Sequence, residues 1–307
     1  MFKIKFIKVF MKKEKFLSNS KIGGIGYSAL IFIYIILAFV LQGVIDSFIE
    51  KTSILNTLLK GLISPISIIL TLAILLNYFN LGFKQTLGVK KFNPLVIITV
   101  LLVSIGMFFA FGFVNDLIVK GLNSIGVKPS GINIKVNSFI SYLAYVLVLA
   151  VIPAIFEELF FRGFLLTSLK DCGGVFSLII SSLFFSLYHG SLAQLVYQFI
   201  YGIFLGAIFI QSKSIFPSII LHFINNFLII TLEYVGVVIN FYSIFIISLG
   251  LILLAVSILL FIFVHKGVEE TTKKALKGAK NINVIIYGAF GVLFCLLLIV
   301  GGLLWLK

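Results

Sequence analysis

Apolar runs of about 20 residues recur along the whole chain, separated by short polar connections. Each run is long enough to cross a hydrocarbon layer of ~30 Å as a helix rising 1.5 Å per residue. The pattern predicts helices near 25–46, 58–80, 95–118, 138–170, 174–189, 191–211, 215–235, 238–264 and 284–306. The expected fold is therefore all-α: a polytopic transmembrane helix bundle with eight or nine crossings. The longest polar connections, around 119–137 and 265–283, are too short to hold a soluble domain. Four regions follow from this layout: a basic cytosolic arm over 1–22, N-terminal transmembrane helices over 23–137, a helical core over 138–236 and a C-terminal transmembrane hairpin over 237–307.

Composition agrees with a membrane solvent. Of the 307 residues 61% are hydrophobic and 11% charged, with a mean hydropathy of +1.23, well above a soluble domain. A net charge of +14 would suggest nucleic acid in a soluble protein. Here the lysines fall between hydrophobic runs, so the expected partners are anionic lipid headgroups of the bilayer, and no nucleic acid. Nine crossings from a cytosolic N-terminus put eighteen of the 24 basic residues on the cytosolic side: seven within 1–21, Lys84, Lys90, Lys91, Arg162, Lys170, Lys213 and five between Lys266 and Lys280. The outer side keeps Lys51, Lys60, Lys120, Lys128, Lys135 and Lys307, a bias that fits the positive-inside rule. A cleaved signal peptide is not expected, because the apolar run after the basic arm is long enough to span. The abundance of Lys, Ile, Asn and Phe beside one arginine suggests an AT-rich bacterial genome, hence a multi-pass protein of a bacterial plasma membrane.

Against that background the charges inside the run 153–163 (Pro-Ala-Ile-Phe-Glu-Glu-Leu-Phe-Phe-Arg-Gly) stand out. A charge near a bilayer centre costs roughly 2.5–3.5 kcal/mol on insertion scales, so such residues face a bundle interior and mark function. Arg162 is the only arginine of the chain. Glu158 and Arg162 are four apart and share a helix face, whereas Glu157 points about 100° away. One carboxylate can thus be neutralised by the guanidinium while the other serves as a general base. A buried Glu–Arg pair that only fixes packing is the competing reading. Two further polar signals follow. His189 closes the helix ending Phe185-Ser186-Leu187-Tyr188-His189. His222 and Asn226, again four apart, share a face of the helix after Lys213, where the amide could orient the imidazole or polarise a carbonyl. His265 matches no pattern and reads as interfacial.

Depth decides how these signals combine. If the fourth predicted helix ended at Arg162, Glu157 would lie near the cytosolic edge, far below His189. If it runs on to Lys170 and Asp171, Glu157 stands ~20 Å above the cytosolic end, His189 ~22 Å above Gly174 and His222 ~14 Å above Lys213, counted at the helical rise. The longer helix brings them together, and Pro153 is the place for a kink in it. The Gly202-x-x-x-Gly206 pair reads as a close helix contact.

Glu157-Glu158-x-x-x-Arg162, then Phe185-x-x-x-His189, then His222-x-x-x-Asn226 resemble, in order and spacing, the three motifs of the CAAX protease and bacteriocin-processing (CPBP, or Abi) intramembrane proteases. The likeness covers roughly 140–235, including Glu157 to Gly163 and the run from Gly202 through Ser214-Ile215-Phe216-Pro217-Ser218 to His222. It implies peptide-bond hydrolysis within the membrane, on a membrane-associated peptide or protein. By position, Glu157 would activate water with help from His189, His222 and Asn226 would stabilise the oxyanion, and Glu158 with Arg162 would support the base. The family is labelled metalloprotease. Residue chemistry leaves the metal open: His189 and His222 with a carboxylate suffice for Zn2+ with an open water position, yet a metal-free glutamate mechanism fits equally well. No Gly-x-Ser-x-Gly nucleophile and no intramembrane aspartate pair is present. Two readings from other classes stand beside it. One is a non-catalytic bacteriocin-immunity or sensor-regulating membrane protein, the other a transporter using the buried charges as a proton relay.

Overall fold

The computed structural model describes residues 19–127, 136, 138–264 and 283–304, and among them secondary structure is helical throughout. The basic arm over 1–18, the Lys266–Lys280 segment with His265, and Lys128, Lys135 and Lys307 lie outside the described residues. In chain order the helices are α1 (Ser20–Phe48), α2 (Ile54–Gly61), α3 (Ile63–Tyr78), the single turn α4 (Phe83–Thr86), α5 (Val96–Ser124), α6 (Phe139–Leu166), α7 (Gly174–Tyr188), α8 (Leu192–Ser212), α9 (Phe216–Val235), α10 (Ile244–Val264) and α11 (Asn283–Leu304).

Six spans are long and apolar enough to cross a membrane: α1, α2 with α3, α5, α6, α8 and α9. Three further apolar helices, over Gly174–Tyr188, Ile244–Leu260 and Asn283–Ile299, are shorter over their described side chains. The all-α expectation holds, and the chain is a multi-pass membrane protein.

Helix ends follow from local chemistry. Asn19 caps α1 by accepting from the Lys21 amide, which starts the helix earlier than hydropathy alone suggests. Ser53 does the same for α2 through the Asn56 amide. α9 stops at Gly236, whose φ of +72° is the left-handed conformation that ends helices. α10 then begins at Ile244 rather than near 238, because Asn240 turns the chain and accepts from the Tyr242 amide. The two C-terminal helices pack on different neighbours, α10 along α5 and α11 along α1.

Without a hydrophobic drive between helices in lipid, close approach depends on small residues. α5 and α10 meet where a Cβ on Gly250 would fall 2.4 Å from the Ala110 nitrogen and one on Gly106 3.1 Å from the Gly250 carbonyl. α1 and α11 meet at Gly24, whose Cβ would lie 2.7 Å from the Val284 carbonyl. The Gly202-x-x-x-Gly206 pair performs the packing role its spacing predicts. Cβ atoms there would lie 3.1 Å from Ser182 Cβ and 2.5 Å from a Leu178 methyl, both on α7.

These contacts predict that Gly250→Ala pushes α10 off α5 and costs about 1–3 kcal/mol as overpacking. A thermal scan in detergent should show a lower transition. Gly121→Ala, in open space on the same α5, should be neutral or stabilising by up to ~1 kcal/mol.

Candidate functional site

The backbone of α6 changes hydrogen-bonding register twice. π turns occupy Val146–Val151 and Leu159–Leu166, on either side of the α-helical stretch Ile152–Glu158. Pro153 has no N–H to donate to the Leu149 carbonyl, and the expected kink takes the form of a π turn that ends beside the proline. Asn226 Nδ2 donates to that same Leu149 oxygen at 3.3 Å. The helix continues past Arg162 to residue 168 before a 3-10 turn over Lys170–Cys172 and Gly173 at φ +93°. The longer helix that convergence required is the one formed.

Two carboxylates adjacent in sequence have different surroundings. Glu158 is fully buried, and its Oε1 accepts from Arg162 Nη1 at 2.7 Å and from His222 Nδ1 at 2.9 Å. The guanidinium, 1% exposed, also donates to the Gly202 carbonyl at 3.2 Å and lies 4.2 Å over the Phe185 ring. Arg162 therefore ties α6 to α8 and α7, and Glu158 ties α6 to α9.

Glu157 is also buried, but its Oε2 has no hydrogen-bond partner in the protein. It faces His222 Nε2 at 3.9 Å and His189 Nε2 at 4.0 Å. Both imidazoles are fixed through their other nitrogen. His189 Nδ1 donates to the Phe185 carbonyl at 2.9 Å and His222 Nδ1 to Glu158. With Nδ1 as the donor in each, both rings turn Nε2 toward Glu157. The Phe185 ring stands edge-on to both, its centroid 4.8 Å from that of His189 and 5.8 Å from that of His222.

Asn226 is placed otherwise than its spacing suggested. The i,i+4 relation implied that it orients His222, but Glu158 does that. Asn226 accepts from Asn225 Nδ2 at 3.2 Å while donating to Leu149. One of its two amide hydrogens is left over, and the residue lines the cavity above the glutamates. The sequence reading thus brings Glu157, Glu158, Arg162, His189 and His222 into one cluster and leaves Asn226 at its edge.

Several supporting residues escaped that reading. Asn225 is buried and accepts from the Tyr197 hydroxyl at 2.7 Å. The Tyr201 hydroxyl donates to the Leu221 carbonyl at 2.7 Å, one residue before His222. Tyr197 and Tyr201 are four apart on α8, a signal indistinguishable in sequence from ordinary aromatic packing. Gly163, the last residue of the motif run, sits where a Cβ would lie 2.9 Å from Leu87 Cα, so the short α4 segment presses directly on α6.

A tetrahedral Zn2+ with bonds of about 2.0–2.1 Å needs ligand atoms about 3.4 Å apart. The two separations from Glu157 Oε2 are wider, and among the described residues no group of three His, Cys, Asp or Glu side chains is arranged to hold an ion. As placed, the three atoms do not fit a tetrahedral metal centre. Each of the two separations suits a pair bridged by a hydrogen-bonded water about 2.8 Å from both atoms.

Together the fold and the cluster define a class: a multi-pass helical membrane protein with a paired-glutamate, two-histidine centre buried in its bundle. Residues 139–228, under a third of the chain, match the family model described as type II CAAX prenyl endopeptidase Rce1-like. A search of curated proteins and one of solved structures found no match.

The buried pair makes a stability prediction. Arg162→Met leaves Glu158 charged and unpaired and should cost about 3–5 kcal/mol, whereas Arg162→Met combined with Glu158→Gln should recover much of it. Thermal unfolding of the two variants in detergent compares them directly.

Proposed function

We infer that the protein is an intramembrane endopeptidase of the CAAX-protease type, hydrolysing a peptide bond in a membrane-associated peptide or protein by glutamate-activated water. The observation that carries this reading is the unpartnered Glu157 Oε2, buried opposite two imidazole nitrogens whose rings are each anchored at Nδ1. A buried acceptor without a partner is costly unless something arrives to use it.

In the proposed reaction a water donates one hydrogen to Glu157 Oε2 and the other to His189 Nε2. Glu157 takes the proton as the water oxygen attacks the peptide carbonyl carbon. The oxyanion accepts from the remaining Asn226 N–H and from His222 Nε2 when that ring carries its second proton. With His222 protonated, two carboxylates face two cations, so the buried cluster is neutral as a whole. Glu157 then passes its proton to the amide nitrogen as the C–N bond breaks. Glu158 and Arg162 touch no reacting atom and act by positioning. Nothing in the reaction calls on a metal. The match over 139–228 and the order of the three motifs add to the geometry.

Glu157→Gln removes the base while keeping shape and burial. It should lower cleavage by about 10^2–10^4-fold with an unchanged thermal transition. Proteomic comparison of membranes carrying the wild type and the variant should show precursors accumulating with the variant, and identical profiles would overturn the reading. Treatment with a strong chelator should leave cleavage of a peptide so identified intact. Loss restored by added Zn2+ would refute the metal-free mechanism alone.

A further inference from the structure

Glu157 lines a cavity of about 910 Å3 whose other lining residues lie toward one end of the bundle. Its deep wall is formed by Pro153, Glu157, His189 and His222, and its mouth includes Lys60, Asp116, Glu233 and Val238. Toward the opposite end the site is closed by Phe160, Phe161, Phe164 and Phe185, all at most 1% exposed.

The cavity follows from the length of α7. Fifteen residues rise only about 22 Å, short of the ~30 Å hydrocarbon layer. The chain therefore turns at Gly190 and Ser191 inside the bundle, and both line the cavity. Irregular backbone at membrane depth is stable where it lines a water-filled space. Two further buried acceptors on the cavity wall, Gln198 Oε1 and Asn115 Oδ1, lack protein partners. Water or the backbone N–H groups of an extended peptide would satisfy them.

The two ends differ in charge. Lys21, Lys84, Lys90, Lys91, Lys170 and Lys213 occupy the closed end among the described residues. That end is held together by the Ile215 amide donating to Gly88 at 2.9 Å and by the close approach of Gly23 to Ser168. The open end holds Lys51, Lys60 and Lys120. Two of these are paired, Lys60 with Asp46 at 2.6 Å and Lys120 with Asp116 at 3.7 Å.

We propose that substrate reaches Glu157 from the extracytoplasmic face, through the lysine-poor mouth, so that the protein cuts peptides or protein segments exposed on the outer side of the membrane. The inference rests on the endopeptidase reading for its word "substrate", and on the positive-inside rule for its side. The rim supports a membrane-associated substrate. Val238 at the mouth is 95% exposed, and Ile244 and Phe245 at the start of α10 are 82% and 73% exposed.

Gln194, on the cavity wall, supplies the test. Gln194→Cys, and Asn115→Cys as a second variant, are probed with a membrane-impermeant sulfonated maleimide on intact cells of a bacterial host and on inverted vesicles. The native Cys172 and Cys295 are buried. Lys84→Cys marks the closed end. The expected result is labelling of both cavity cysteines on intact cells and of Lys84→Cys only on inverted vesicles. Cavity labelling from the Lys84 side, labelling of Lys84→Cys on intact cells, or no cavity labelling from either side would each overturn the proposal. Labelling needs no catalysis. Outer labelling of a protein that processes nothing would therefore overturn the endopeptidase reading and leave the direction of access standing.

Discussion

One carboxylate oxygen organises the site. Glu158 Oε1 receives both the Arg162 guanidinium and the His222 imidazole, at 2.7 and 2.9 Å, in a region with no exposed surface. Taking charges out of water costs several kcal/mol per ion, which is returned only where partners are complete and well aimed. The surrounding structure meets that demand at Oε1, while Oε2 has no protein partner. The Gly202 carbonyl takes a second guanidinium N–H, and the Phe185 face takes the rest of the cation. Gly202 can present its carbonyl so close because α8 lies against α7 without a side chain between them. The small-residue seam and the ion pair are therefore parts of one arrangement. Four helices hold their relative positions because one anion must be satisfied.

The same economy separates the two glutamates. They differ by one residue, so one turn of helix sends them to different faces, but the contrast in their partners is built by tertiary contacts. Glu158 accepts two charge-assisted hydrogen bonds, both at Oε1 while its Oε2 has no protein partner, and Glu157 accepts none. His222 bridges them, fixed through Nδ1 by one and presenting Nε2 to the other. A rigid scaffold carboxylate beside an unsatisfied one is what acid–base work requires: the first sets geometry and charge balance, the second remains available to a proton.

Much of this was legible in the chain. Helix positions followed from apolar run length because a bilayer fixes how long a crossing must be. The Glu158–Arg162 pair followed from its spacing. The demand that Glu157, His189 and His222 meet at one depth was enough to extend α6 past Arg162, since each helix converts residue count into height. What stayed hidden depends on contacts between elements. The π turns around Pro153 leave no composition signal, because apolar residues populate α and π turns alike. The partner of Asn226 is a backbone carbonyl of α6, which no side-chain pattern announces. Its expected hold on His222 failed for the same reason: a local i,i+4 neighbour lost to a charged acceptor on another helix, and charge-assisted hydrogen bonds are the stronger ones. Nothing in the sequence separates Tyr197 and Tyr201, four apart on α8, from ordinary aromatic packing, yet their hydroxyls donate to Asn225 and to the Leu221 carbonyl.

The shortness of α7 connects the remaining features. Hydrolysis inside an apolar bundle needs water at the reacting atoms and lipid kept away from the charges. A full-length helix in that place would close the bundle from end to end and leave Glu157 as an isolated buried charge. Stopping at Tyr188 instead puts His189 at the helix end, where its Nδ1 still caps the last turn through the Phe185 carbonyl while Nε2 faces the cavity. The Gly190 turn, at φ +60°, carries the chain into α8 without filling the space above. Below that turn the aromatic residues of α6 and α7 close the other end. One truncated helix therefore supplies a ligand for water, a route for water and a floor against leakage, and the cost of irregular backbone at that depth is offset by the cavity it lines.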